Sequence, residues 1–272
     1  MDQQPARQLI TSVIIGSLLL LTIMSAALAG TIPGTPQGKL TTRHFFIPPN
    51  HKTQYHIEKF GTYMGDMKNE LQYKDGIIHY SSLATAKGFA SLFVRSTPKE
   101  MSILHWPENA HSTIPQQQSF DYFQGENHKR NQQISFNHST EGEIQINGSY
   151  KHKSYKLKTD KVVWARQLLS LLMSRDLQLH PDTTTNSFYI TDKGRIEKYT
   201  YTLVATEDFK FKGETLPVLK FKITKNDSRR MSYAWLSKGH YYLPLKIEQY
   251  KDGDLNVRML MTHLNLDKTE SK

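Results

Sequence analysis

Met231-Ser232-Tyr233-Ala234-Trp235, Leu245-Lys246-Ile247-Glu248 and Val257-Arg258-Met259-Leu260-Met261 share one pattern, a large apolar side chain at every second position. A period of two puts those side chains on one face of an extended chain. Tyr199-Thr200-Tyr201-Thr202-Leu203 and Leu219-Lys220-Phe221-Lys222-Ile223 repeat it upstream. Turn signals separate the runs at Lys193-Gly194, Lys212-Gly213, Asn226-Asp227, Lys238-Gly239 and Asp252-Gly253. Regular strands with one polar face predict an antiparallel meander.

Moving toward the N-terminus, Asp75-Gly76 supplies the positive φ values of a type I′ hairpin, with Ile77-Ile78-His79-Tyr80 as the returning strand. Residues 83–94 fit either a strand or a short helix. Residues 108–133, rich in Gln, Asn, His and Ser, read as irregular or weakly paired. Short strands follow at 134–136, 143–146 and 150–157, with turns expected at Glu141-Gly142 and Asn147-Gly148. One segment carries helical spacing: Asp160 can cap it, Trp164, Leu168, Leu171, Leu172 and Arg175 mark its apolar face, and Pro181 ends it. The fold class is therefore mainly β (a β-rich α+β arrangement). It is a curved antiparallel sheet or partly open β-barrel with one prominent helix between two sets of strands.

The N-terminus speaks to location. Arg7 precedes an apolar run over residues 10–24, and Ala27-Leu28-Ala29 gives the small-x-small pattern of signal cleavage, leaving Gly30 as the mature start. Residues 1–29 read as a signal peptide and the protein as periplasmic. An uncleaved anchor is the alternative, since the run approaches the ~20 residues of a spanning helix. If the signal is cleaved, the mature chain has no transmembrane segment. Residues 30–49 read as a flexible leader, 50–265 as a single β-rich domain and 266–272 as a tail. The chain of 272 residues has no Cys, which excludes disulfides, thiolate metal sites and Cys nucleophiles. Its net charge is +10. Outside the cytoplasm that charge points away from nucleic acid and toward solubility or anionic envelope components.

Tyr233-Ala234-Trp235-Leu236-Ser237, then Tyr242-Leu243-Pro244-Leu245-Lys246-Ile247-Glu248 and Asp252-Gly253, together with Asp75-Gly76, His79-Tyr80 and the helix from Trp164, resemble a family of exported Gram-negative proteins catalogued as domain of unknown function 3108. The resemblance implies a periplasmic protein with a curved sheet. It implies no activity and carries over no catalytic residues.

Chemical motifs are sparse. The 12 His form no chelating spacing, and His51 and His56 are poorly placed for a metal, so no metal site and no cofactor are expected. Ser96-Thr97-Pro98-Lys99 matches Ser-x-x-Lys and Ser135-Phe136-Asn137 matches Ser-x-Asn, yet no Lys-Thr-Gly follows. The acid pairs Glu141/Glu143 and Asp252/Asp254 sit at turns. Lys151, Lys153, Lys156, Lys158 and Lys161 read as a guarded edge strand or an anionic-lipid contact. Arg229, Arg230, Tyr233, Trp235, Tyr242 and Trp164 are the candidate ligand-binding residues, an aromatic set with cationic rim. The expected function is non-enzymatic binding or carriage of a lipid or anionic glycolipid in a concave sheet. The alternatives are an envelope-protein interaction module and, more weakly, a serine hydrolase using Ser96 and Lys99.

Overall fold

The computed structural model describes residues 48–92, 96–105, 114–125, 129–226 and 228–267. The expected signal segment, residues 30–47 of the expected leader and nearly all of the expected tail lie outside them. The chain forms β1 (His51–Lys59), β2 (Thr62–Lys74), β3 (Ile77–Ala86), β4 (Lys99–His105), β5 (Gln116–Phe123), β6 (Gln132–His138), β7 (Ile144–Tyr150) and β8 (Lys153–Thr159). A short β9 (Val163–Ala165), a 3-10 turn (Arg166–Leu168) and the helix α1 (Leu169–Leu179) follow. The second set is β10 (Thr185–Asp192), β11 (Arg195–Phe211), β12 (Glu214–Lys225), β13 (Arg230–Ser237), β14 (Leu243–Lys251) and β15 (Asp254–Leu266).

All 15 strands belong to one sheet, ordered β8 to β1 and then β15 down to β9. Two meanders are thus joined at a seam where β1 pairs antiparallel with β15 from His51↔Leu266 to Lys59↔Val257. Among the described residues only the β9–β10 pair is parallel. The turn pairs Asp75-Gly76, Lys193-Gly194, Lys212-Gly213 and Asp252-Gly253 have both φ values positive, the backbone that a two-residue hairpin demands.

The sheet is open but strongly curled. Leu71, Ile78, Tyr80 and Leu104 of β2–β4 pack on α1 from one side, and Tyr199, Tyr201, Phe221, Ala234 and Leu236 of β11–β13 pack on it from the other. Strands far apart in the sheet order share one helix, so the sheet wraps around it. The outer strands also converge. Phe120, Ile134, Phe136 and Ile146 of β5–β7 cluster with Val163 and Ala165 of β9. The two sheet edges are β8, lined with Lys, and the three-residue β9; both devices discourage pairing with other chains. Among the described residues no helix is long and apolar enough to cross a membrane.

Four local expectations change. Residues 116–123, expected to be irregular, form β5, and Gln117, Gln124 and Gln132 are buried. Asn147-Gly148 is no turn: it lies within β7, and the reversal comes at Lys151-His152, both at positive φ. The helix begins at Leu169 rather than after Asp160, because Val163–Ala165 is taken up by pairing with Tyr189–Thr191. The ambiguous residues 83–94 continue β3 to Ala86 and then form a 3-10 helix, Gly88–Leu92.

Candidate functional site: a cleft under the helix

Alternation along β13 sends Ala234 and Leu236 toward α1, while Tyr233 and Trp235 take the opposite face. On the helix side the packing is incomplete. A cavity of about 220 Å³ lies between the 3-10 turn, the start of α1 and strands β12–β15. Met67, Leu169, Ile223, Ala234, Ile247 and Met259 supply its apolar wall. A second chamber of about 90 Å³ shares Met67, Glu100, Gln167, Ser170, Ile247 and Met259 with it, so the two form one cleft.

The cleft has two polar ends. At its mouth stand Lys225, Ser228, Arg230, Gln249 and Asn256, all from the β12–β13 and β14–β15 end of the sheet. Lys225 is held by Glu197 at 2.8 Å. The Arg230 Nη1 is buried and has no hydrogen-bond partner. Burial lowers the Arg230 pKa, and Asp252 offsets this only in part.

The floor is an ionic network. Arg166 donates to Glu100 at 2.6 Å and to Asp192 at 3.0 Å, and Lys193 reaches Asp192 at 3.1 Å. The Arg166 guanidinium lies over the rings of Phe120 and Tyr122, 5.5 and 5.2 Å from their centroids. Burial opposes the Arg166 charge, but Glu100 and Asp192 together raise its pKa. Burial pushes the Glu100 carboxyl up, and Arg166 pulls it part of the way back. Burial lowers the Lys193 ammonium to about 8 against the pull of Asp192. Neutral bonds extend the network. Ser102 donates to Gln167 at 2.7 Å, Gln167 to Ser82 at 3.0 Å, and the Ala165 N–H to Gln117 Oε1 at 2.7 Å. These charges are paired and shielded, so the network anchors the 3-10 turn to β3, β4, β5 and β10.

Of the six residues singled out in the sequence, Arg230 lines the cleft. Trp164 and Tyr242 are buried in the cluster around α1. Trp235 faces away from the helix, with its Nε1–H donating to Glu207 at 2.8 Å and its ring between Lys220 and Lys246. Tyr233 shares that face and meets Tyr250 edge-on. Arg229 is exposed and pairs with Asp252 at 3.2 Å. Ser96 lies in a bend and Lys99 opens β4, so they share no helical face on which the lysine could serve the serine. Among the described residues no three His, Asp or Glu groups converge as a metal site. Met67, Met259, Ile247 and Leu169 were missed because nothing in a period-two pattern distinguishes a cavity wall from core.

The family model for DUF3108, described as a protein of unknown function, matches residues 110–262. The chain belongs to this family. The matched span holds β5–β14, α1 and most of β15, and β1–β4 precede it. No curated protein matches the sequence. The chain is similar to the solved structure of a β-barrel-like protein of the DUF1849 family from Brucella abortus, with TM-score 0.51 and 9% identity over 81% of this chain and 98% of that one. That likeness is one of fold. A protein with a YmcC-like fold from Bacteroides fragilis gives TM-score 0.35 at 9% identity, covering 81% of this chain and 99% of that one. MucB in the MucA/MucB complex of Pseudomonas aeruginosa gives 0.35 at 13%, covering 84% of this chain and 55% of MucB. This DUF3108 chain thus spans about half the length of MucB.

Proposed function

We propose that this DUF3108 protein works in the bacterial envelope and binds an anionic amphiphile by one short apolar segment inserted into the cleft. The observation that carries the reading is an apolar-walled cavity whose mouth holds a buried guanidinium nitrogen with no partner. A buried unmet donor is costly, and a carboxylate or phosphate oxygen would satisfy it. The signal-like N-terminus supports the location. Size narrows the ligand. The cleft's chambers of about 220 and 90 Å³ together only reach the lower end of the ~300–1,000 Å³ of pockets that enclose drug-sized molecules. The cleft suits one short chain or the end of a longer one, with the head outside at Arg230, and it does not enclose a multi-acyl glycolipid.

The test is titration with a dansyl-labelled fatty acid, paired with native mass spectrometry before and after organic extraction. Ile247→Trp fills the cleft from its wall and abolishes binding. Arg230→Ser weakens binding by roughly ten- to a hundredfold, the worth of a charge-assisted hydrogen bond of ~1.5–3 kcal/mol. A folded protein that carries no extractable mass and ignores the probe refutes the reading.

A further inference from the structure

The registers place every other turn at the same end of the sheet as the mouth of the cleft. The β1–β2 turn, the β3–β4 connection and the β7–β8, β10–β11, β12–β13 and β14–β15 turns all gather there. Three large apolar side chains project from this end: Phe60 is 66% exposed, Phe89 63% and Leu92 71%. Soluble proteins expose single apolar residues routinely, so exposure alone decides nothing. The backbone under Phe60 does. Phe60 has φ 48 and precedes Gly61 at φ 75, a two-residue turn. Asp75, Lys193, Lys212 and Asp252 hold that same position in the other such turns, all polar. A bulky aromatic at positive φ is unfavourable, and this one recovers no core packing. Phe89 and Leu92 ride on the 3-10 helix Gly88–Leu92, which is fastened from beneath by Ala90, fully buried against Ile57 and Met64. The apolar tips are therefore held outward on a rigid base.

Charge separates the two ends. Around the mouth the turns carry Lys129, Lys151, His152, Lys153 and Arg229, with Lys251 beside them. Of the acids at this end, Asp252 is held by Arg229 and Lys251, and Asp254 stands opposite Lys251 in the register. At the far end the connections carry Asp75, Glu141, Asp160 and Asp182, with Lys161, Lys212 and Lys238 as counter-charges. Apolar tips set in a basic ring are the two signals that interfacial membrane binding combines. We infer that the mouth end docks on an anionic lipid surface, with Phe60, Phe89 and Leu92 entering the headgroup layer and the basic turns meeting lipid phosphates. This places the mouth of the cleft at the membrane, yet it does not depend on the cleft being filled.

The chain has no Cys, so one introduced thiol reports one place. Leu92→Cys and Asp75→Cys proteins, each carrying an environment-sensitive dye, are mixed with vesicles of equimolar phosphatidylglycerol and phosphatidylethanolamine. The dye at 92 shifts to the blue and the dye at 75 does not, and high salt reverses the shift. In co-sedimentation, Phe60→Ser/Phe89→Ser/Leu92→Ser and Lys151→Glu/Lys153→Glu each lose at least tenfold in partitioning, since each basic residue near an anionic surface is worth about fivefold. All five positions are exposed, so both variants fold as the parent does, which circular dichroism verifies. A silent dye at 92, a shift at 75 alone, or unchanged partitioning of the apolar triple variant overturns the inference. So does a triple variant whose only loss is a protein crosslink in cells. Ile247→Trp leaves docking intact, which separates failure here from failure of the cleft.

Discussion

Replacing Arg166 with Met tests whether the floor of the cleft is an anchor. Methionine keeps an apolar stem against Phe120 and Tyr122 while removing the charge. Two buried carboxylates lose their partner, Glu100 at 2.6 Å and Asp192 at 3.0 Å. Breaking a buried ion pair costs ~3–5 kcal/mol, chiefly because the remaining charge is left without compensation. Asp192 retains Lys193 at 3.1 Å, so Glu100 is the group fully stranded and the lower end, about 3 kcal/mol, applies. For a chain of this size that lowers Tm by roughly 6–12 °C. The deficit depends on pH. Burial holds the folded Glu100 pKa above 4.5, and without Arg166 it rises further. A carboxyl whose folded pKa is raised favours the folded state when protonated, below its unfolded value, and that support is lost as pH rises through the folded pKa. Urea unfolding should therefore show the full loss at pH 7.5 and a smaller one at pH 4.5. Glu100→Gln in the Arg166→Met background should restore about 2 kcal/mol by removing the stranded charge. A loss under about 1 kcal/mol at pH 7.5, a loss independent of pH, or no rescue by Glu100→Gln refutes the reasoning.

Two further outcomes follow from single side chains. A Cβ at Gly148 would lie 2.4 Å from the Tyr155 ring, and one at Gly194 would lie 3.2 Å from the same side chain, so the ring has little room to yield; Gly148→Val costs about 1–3 kcal/mol in chemical denaturation, and Tyr155→Ala in the same chain removes much of the penalty. His51 is buried, and burial lowers its pKa against the pull of a hydrogen bond to the Pro49 carbonyl. An imidazole held neutral by the fold weakens stability as pH falls below its unfolded value of 6.5, so His51→Gln should flatten the stability loss between pH 7 and pH 5; an unchanged slope by urea titration counts against that role.

The C-terminal meander was legible because β11 and β12 turn Tyr199, Tyr201, Phe221 and Ile223 to the helix and Thr or Lys to the other side, while β13 buries Trp235 in a second cluster on its opposite face, so each strand writes a period of two. The two-residue turns were legible because an Asp-Gly or Lys-Gly pair answers a backbone demand that tertiary packing cannot change. Residues 116–133 were illegible for the opposite reason. Their inward residues are Gln117, Phe120, Tyr122 and Gln132, half of them polar, so hydrophobic alternation does not mark β5 or the start of β6, whose Ile134 and Phe136 alone showed a strand. The helix start was misplaced because Val163-Trp164-Ala165 is apolar in either reading, and only the presence of β10 at its side decides for a strand.

Those buried glutamines follow from the way the chain crosses the sheet. β9 and the 3-10 turn pass over the inner face of β4 and β5, bringing backbone groups into the interior where water does not reach. Buried backbone N–H and C=O groups must find partners. Gln117 supplies them in both directions, accepting from the Ala165 N–H at 2.7 Å and donating to the Ser119 carbonyl at 3.1 Å. Glutamine has the reach and the paired donor and acceptor that no aliphatic residue offers. The strand that lacks an apolar signature thus holds β9 at the entry to the 3-10 turn, and that turn forms one side of the cleft. A reading that weighs only hydrophobic period passes over the strand that fixes the entry to the cleft's 3-10 turn.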